Sequence, residues 1–244
     1  MLNMVKLYLF VCSVLSCVIN LDAYSATFIK PCKWDDKACL ISSTQAVIPI
    51  ISKGIPELNI QSWDPLYIKT GKFESGNLVV KYYDLSVTGV KDIKVLNVER
   101  DIKANTIKVE AEMPMTAIGQ YQLDGNILIL KLHGKGRCDI RTNKVQFTVT
   151  YKIKHENGDD GQKHWKISSF DYTYDVVEKV KFDLENLLGG DETNSNLIQQ
   201  VLDNNWKDII EEIGDPIIRE IITPLVVQVN KLLHSIPEKN LEIV

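Results

Sequence analysis

Between about Asn196 and Ser235 the chain carries no strand signal, and apolar residues recur at helical spacing. Ile198, Val201, Leu202, Trp206, Ile209, Ile213, Ile217, Ile221, Leu225, Val229, Leu232 and Ile236 form one stripe. Ile210, Ile218, Ile222, Val226 and Leu233 fall off it, so after Asp208 the apolar arc covers well over half of the helix. A helix that is hydrophobic nearly all round has to be surrounded by protein. Continuous helix over this stretch would run roughly 60 Å. Pro216 and Pro224 each remove a backbone donor, which predicts a kink or break near Gly214-Asp215-Pro216. The economical way to cover so long and so apolar a rod is one curved sheet wrapped along it.

The material for that sheet lies upstream, roughly from Leu66 to Leu184. Ile107, Val109, Ala111, Met113 and Met115 alternate with Lys108, Glu110, Glu112 and Pro114. Val145, Phe147, Val149, Tyr151 and Ile153 alternate with Gln146, Thr148, Thr150, Lys152 and Lys154. Alternation of this kind belongs to antiparallel strands with one dry face. Turn signals are read at Asp124-Gly125, Gly134-Lys135-Gly136 and Asn157-Gly158-Asp159-Asp160-Gly161. Before the strands, Asp35 to Ser52 reads as a short helix stopped by Gly54-Ile55-Pro56. The expected class is α+β: a long C-terminal α-helix wrapped by a strongly curved antiparallel β-sheet, an elongated roll and not a sandwich.

The first segment is expected to stand outside this fold. A short basic start up to Lys6, an apolar run from Leu7 to Ile19 and the small residues of Ala23-Tyr24-Ser25 read as a secretory signal peptide over residues 1–25. The apolar run is too short for a comfortable membrane span. Residues 26–244 then form a single ligand-binding domain, exported and extracellular. Cysteine usage agrees with export. Cys32 and Cys39 bracket a short polar loop that a disulfide could close in an oxidising compartment. A zinc site is the rival reading, disfavoured by the lack of a nearby His or third Cys. Cys138 is left over, as a buried thiol or an intermolecular link.

Composition narrows the function. The 244 residues carry a net charge of −4 and no basic run, which argues against nucleic acid or an anionic membrane as partner. No nucleophile elbow, phosphate loop, dinucleotide fingerprint or His-Glu-x-x-His occurs, and the four histidines are scattered. No catalytic residue, cofactor or metal ligand is expected, and the protein reads as a non-enzyme.

Several short motifs, taken in order, resemble the insect takeout/juvenile-hormone-binding family. They are Cys32-x6-Cys39, Gly54-Ile55-Pro56-Glu57-Leu58, Asp64-Pro65-Leu66, Tyr121-x3-Gly125-x-Ile127-Leu128 running into Gly134-Lys135-Gly136, and Asn186-Leu187-Leu188-x2-Asp191 before Leu202-x2-Asn205-Trp206. Two features depart from the pattern. Leu132-His133 stands where many relatives have Pro and an apolar residue, and no cysteine follows Cys138, so the second disulfide of the hormone-binding branch cannot form. The resemblance therefore points to the broader takeout-like branch. It implies a tubular lipid-binding fold, secretion into haemolymph or a similar fluid, and a monomer carrying one lipophilic molecule, such as a juvenile hormone, a related terpenoid or a fatty molecule, in an internal tunnel. It also implies an N-terminal helix acting as a gate. A lipid-surface or microbial-envelope binder is the alternative, which the negative charge disfavours.

The candidate ligand contacts follow from these readings. Tyr151 points inward with Phe147 and Val149, and a phenol in an apolar tunnel needs a hydrogen-bond partner, from a ligand or from the protein itself. The resemblance implies a ligand-contacting tyrosine in this area. Met113 and Met115 suit a tunnel as well as an ordinary core. Trp206 packs under the sheet or meets the ligand, and Ile213 and Ile217 complete the set from the helix.

Overall fold

The computed structural model describes residues 28–128, 130–188 and 192–243. The expected signal segment and its cleavage site lie outside the described residues.

Strand β1 (Cys32–Lys33) leads into helix α1 (Lys37–Ile51), which starts where the Asp36 carboxylate accepts a hydrogen bond from the Cys39 N–H at 3.0 Å. The sheet follows as β2 (Leu66–Ser75), β3 (Leu78–Thr88), β4 (Lys94–Asp101), β5 (Thr106–Ile127), β6 (Leu130–Asn157), β7 (Lys163–Val176) and β8 (Lys181–Leu184). Two helices, α2 (Glu192–Asn204) and α3 (Trp206–Ser235), and a short β9 (Glu242–Ile243) complete the described chain.

Among the described residues the large sheet has seven strands and runs β2-β3-β5-β6-β7, with β4 added to β5 and β8 to β6. β5 and β6 form its spine, paired from Thr106↔Lys152 to Ile127↔Leu130. Along β5 every second residue from Ala111 to Ile127 is buried, the alternation expected of a one-sided strand. Pro114 marks a junction in it. Below Pro114, β5 pairs with β4 (Lys94↔Glu112), and above it with β3 (Thr88↔Thr116). The β5–β6 register also shifts between Met113 and Met115, so the proline falls at an irregularity where its missing N–H breaks no ladder.

α3 touches both β2 and β7, the two ends of the strand order, so the sheet curls around it. Glu212 accepts from the Leu128 N–H at 3.0 Å, and Asn230 accepts from the Ile167 N–H at 2.7 Å. The helix therefore runs from the β5–β6 hairpin towards the β6–β7 turn. A second sheet, parallel, joins β1 to β9 through Cys32↔Glu242 and Lys33↔Ile243.

Three local expectations are corrected. The C-terminal helix breaks at Asn205, which leaves helical geometry (φ −111°, ψ 25°), and it runs without a break through Gly214-Asp215-Pro216. Pro216 and Pro224 stay inside α3; the carbonyls four residues before them belong to Glu212 and Glu220, both exposed positions where water can complete them. Asp124-Gly125 and Gly134-Lys135-Gly136 are not turns but lie within β5 and β6, which meet in a hairpin at Leu128 (φ 54°). The glycines serve close approach instead. A side chain on Gly125 (φ 133°) would lie 2.3 Å from the Asn77 carbonyl oxygen, and one on Gly136 (φ 158°) would lie 2.8 Å from that of Glu185. The Asn157–Gly161 turn joins β6 to β7 as expected.

Candidate ligand-binding cavity

The half of the roll built from β4, β5, β6 and β7 does not pack solid. It encloses a cavity of about 270 Å³ bounded by the sheet, by α1 and by the second half of α3. Filling such a volume with side chains would gain on the order of 6 kcal/mol, at about 24 cal/mol per Å³. That is comparable with the whole stability of many domains, so the fold forgoes a large packing term here.

The wall is apolar because the inward register of each strand is apolar. β4 contributes Val95 and Val98, β5 Ile107, Val109, Ala111, Met113 and Met115, and β6 Val145, Phe147, Val149 and Tyr151. α3 closes a second side from Ile218 onward, with Ile221, Ile222, Leu225, Val226, Val229, Leu232 and Leu233. The third side is α1, through Leu40, Val47, Ile48 and Ile51. None of the described histidines is on this wall.

Tyr151, Phe147, Val149, Met113 and Met115 thus meet on one cavity. Trp206, Ile213 and Ile217 are not on its wall. They belong to the first half of α3, near the β5–β6 hairpin, where Ile213 is buried in solid core and Trp206 is half-buried beneath the Lys207 ammonium (5.5 Å). Helical spacing alone gave both halves of the rod the same look; the sheet tightens around only one of them.

The polar groups are few. Among the described residues the Tyr151 hydroxyl has no hydrogen-bond partner, and burial pushes its pKa well above the ordinary tyrosine value. The other inward tyrosine of the spine, Tyr121, is satisfied within the protein, donating to the Glu185 carbonyl at 2.9 Å. Its pKa is pushed up to about 12 by burial, with Cys138 and Glu185 adding to it. Two further polar residues of the wall gave no sign in the sequence analysis. Arg100 on β4 donates from Nε to Glu242 on β9 at 3.1 Å, with both side chains buried. Its Nη1 donates to the carbonyls of Asp101 (2.8 Å) and Thr106 (3.4 Å), and the guanidinium lies over the Trp165 ring at 5.2 Å. The indole N–H groups of Trp63 and Trp165, on the same wall, are buried without a partner among the described residues. An inward-register charge in Val98-Glu99-Arg100 was the one available hint of this cluster; its partner lies 142 positions away.

Cys32 and Cys39 form a disulfide, with Cα atoms 5.6 Å apart, that ties β1 to the first turn of α1. Cys138 is a buried free thiol, and burial raises its pKa. Among the described residues no helix is long and apolar enough to cross a membrane.

Comparison with known proteins gives the geometry its relatives. The structure superposes on the crystal structure of Epiphyas postvittana Takeout 1 with a TM-score of 0.85 at 25% identity, covering 88% of this chain and all of that one. In sequence it is 26% identical to the Circadian clock-controlled protein daywake of Drosophila melanogaster over 80% of this chain and 79% of that protein. It is 28% identical to a Putative beta-carotene-binding protein of Schistocerca gregaria over 52% of each chain. It is 22% identical to the Juvenile hormone-binding protein of Manduca sexta over 57% of this chain and 60% of that one. Residues 8–241 match the family described as Haemolymph juvenile hormone binding protein, a family of binding proteins and not enzymes. The chain, with its takeout-like fold and its apolar cavity, belongs to that family.

Proposed function

We propose that the protein is a secreted, non-enzymatic carrier that holds one lipophilic small molecule in the cavity between α1, the second half of α3 and the sheet. The observation that carries this reading is the cavity itself, sizeable, apolar on three sides and lined by consecutive inward positions of β5 and β6. Burying about 400 Å² of an apolar ligand there gives roughly 10 kcal/mol gross at 25 cal/mol per Å². Lost translation and rotation consume several kcal/mol of that, leaving binding in the micromolar to nanomolar range. Tyr151, with a buried hydroxyl open to partnership, supplies a polar contact within the apolar surface. The family match, the fold shared with Takeout 1 and the names of the hormone- and carotene-binding relatives support a carrier role. The disulfide supports export, and the protein works as a monomer around an internal site.

The test is to fill the cavity from its wall. Val149→Trp places an indole where a buried valine borders the open volume. Affinity for an apolar fluorophore should fall by about tenfold or more, since the ligand and the new ring compete for one space. Unchanged affinity in a variant with wild-type circular dichroism would place binding elsewhere.

A further inference from the structure

The Arg100–Glu242 pair is made by one hydrogen bond. Nε of Arg100 meets Oε1 of Glu242, and Nη1 is spent on two backbone carbonyls. Among the described residues, Nη2 of the arginine and Oε2 of the glutamate have no partner, although the side chains are only 2% and 9% exposed. Buried ions are tolerated when their remaining protons and lone pairs are also met, and the described residues do not meet these. Both residues stand on the cavity wall, whose other polar side chains are Lys30, Ser43, Thr44 and Tyr151 and whose remaining surface is apolar. The pair therefore presents one spare charged donor and one spare charged acceptor to the same enclosed volume.

Resting on the carrier reading, we infer that the ligand bears a hydroxyl group and is seated with it against Arg100 and Glu242. A hydroxyl is the small group that accepts and donates at once: it accepts a hydrogen bond from Nη2 and donates one to Oε2. An ester or ketone would answer Nη2 and leave Oε2 unmet. A carboxylate would bring a negative charge beside Glu242, and a hydrocarbon would leave both atoms unmet. The pair is neutral overall, so it selects a neutral head group. Sheet register puts Tyr151 in the same cross-strand row, Arg100↔Ile107↔Tyr151, two strands and about 10 Å of backbone from the arginine. This end of the cavity is thus its polar pole, and the ligand's apolar body extends from it between α1 and α3.

The experiment compares three matched probes, dodecan-1-ol, 1-methoxydodecane and dodecane, by displacement of an apolar fluorophore from the wild-type protein. The alcohol should bind about tenfold to a hundredfold more tightly than the ether or the alkane, the selectivity of a site whose buried polar groups need that hydroxyl. In the double variant Arg100→Met/Glu242→Leu the preference should collapse while alkane affinity is kept. Equal affinity of alcohol, ether and alkane for the wild-type protein would overturn the inference and leave the carrier reading standing. Failure of all three to bind would overturn both. Should the double variant not fold, the wild-type ranking decides alone.

Discussion

The side-chain amide of Gln45 on α1 pairs with Val95 on β4 as a neighbouring strand would. The Val95 N–H donates to Oε1 at 2.8 Å, and Nε2 donates to the carbonyl of Ile93, two residues earlier, at 2.9 Å. One side chain thereby caps the edge of β4 and docks the helix that forms one wall of the cavity. The outward Lys37–Glu99 pair (3.1 Å) is exposed and adds little to that docking.

If α1 is the movable wall, the Gln45 contact is its latch. A short helix has little stability of its own and depends on docking. Gln45→Leu should cost about 1–2 kcal/mol of docking, raising hydrogen exchange of amides from Ile41 to Ile51 and speeding ligand dissociation by about tenfold. In the wild type those amides should exchange readily without an apolar ligand and slow markedly with one. Equal, strong protection in both conditions would make α1 a fixed cap.

The disulfide predicts a redox asymmetry. Peptide mapping without reductant should recover Cys32 joined to Cys39 and Cys138 unmodified, because Cys138 is buried and burial keeps its thiol protonated. Cys32→Ser/Cys39→Ser should cost roughly 2–3 kcal/mol by loop entropy. A bridge from Cys138 to either partner would refute the assignment.

Alkali should destabilise the fold by a definite route. Tyr151 and Tyr121 are both held above the ordinary value of 10.0, chiefly by burial. The folded chain then keeps protons that the unfolded chain releases near pH 10, so stability falls as pH rises from about 10 through 12. Below pH 10 the two groups contribute no slope. Denaturant midpoints measured across this range should show the decline, and Tyr151→Phe should flatten it. An unchanged slope in that variant would place the titrating group elsewhere.

Breaking the buried ion pair on one side should be worse than removing it. Glu242→Ala leaves Arg100 charged and unpaired in a nearly dry site, at a cost of about 3 kcal/mol or more. Arg100→Met/Glu242→Leu should recover most of that loss. Thermal unfolding of the single and double variants measures the difference, and equal loss in both would show that packing and not charge governs the position.

The architecture was legible in the sequence because both of its periodicities are strong and local. Alternation along Ile107–Met115 and Val145–Ile153 marked the inward faces that line the cavity, and the apolar stripe after Asp208 marked the helix they enclose. What could not be read was contact between distant segments. Gly125 and Gly136 look like turn glycines, and only the approach of Asn77 and Glu185 explains them otherwise. Likewise Ile213 and Ile221 have equal claims to a ligand on helical spacing alone. The distance of the sheet from each half of α3 separates them, and no local pattern encodes that distance. Arg100 and Glu242 stayed unnoticed for the same reason.

The ladder between β1 and β9 has a consequence for biosynthesis. Leu241 and Glu242 are part of the cavity wall, and Cys32 receives its backbone partner only when they are in place: its N–H donates to the Leu241 carbonyl at 3.3 Å. As the chain leaves the ribosome, α1 and its disulfide can form early, yet the compartment cannot seal until translation has passed Ile243. A chain ended before β9 would keep most of the sheet and lack the backbone partner of β1. Closing this side of the cavity therefore joins two strands that stand 210 positions apart in the chain, Cys32 beside Glu242.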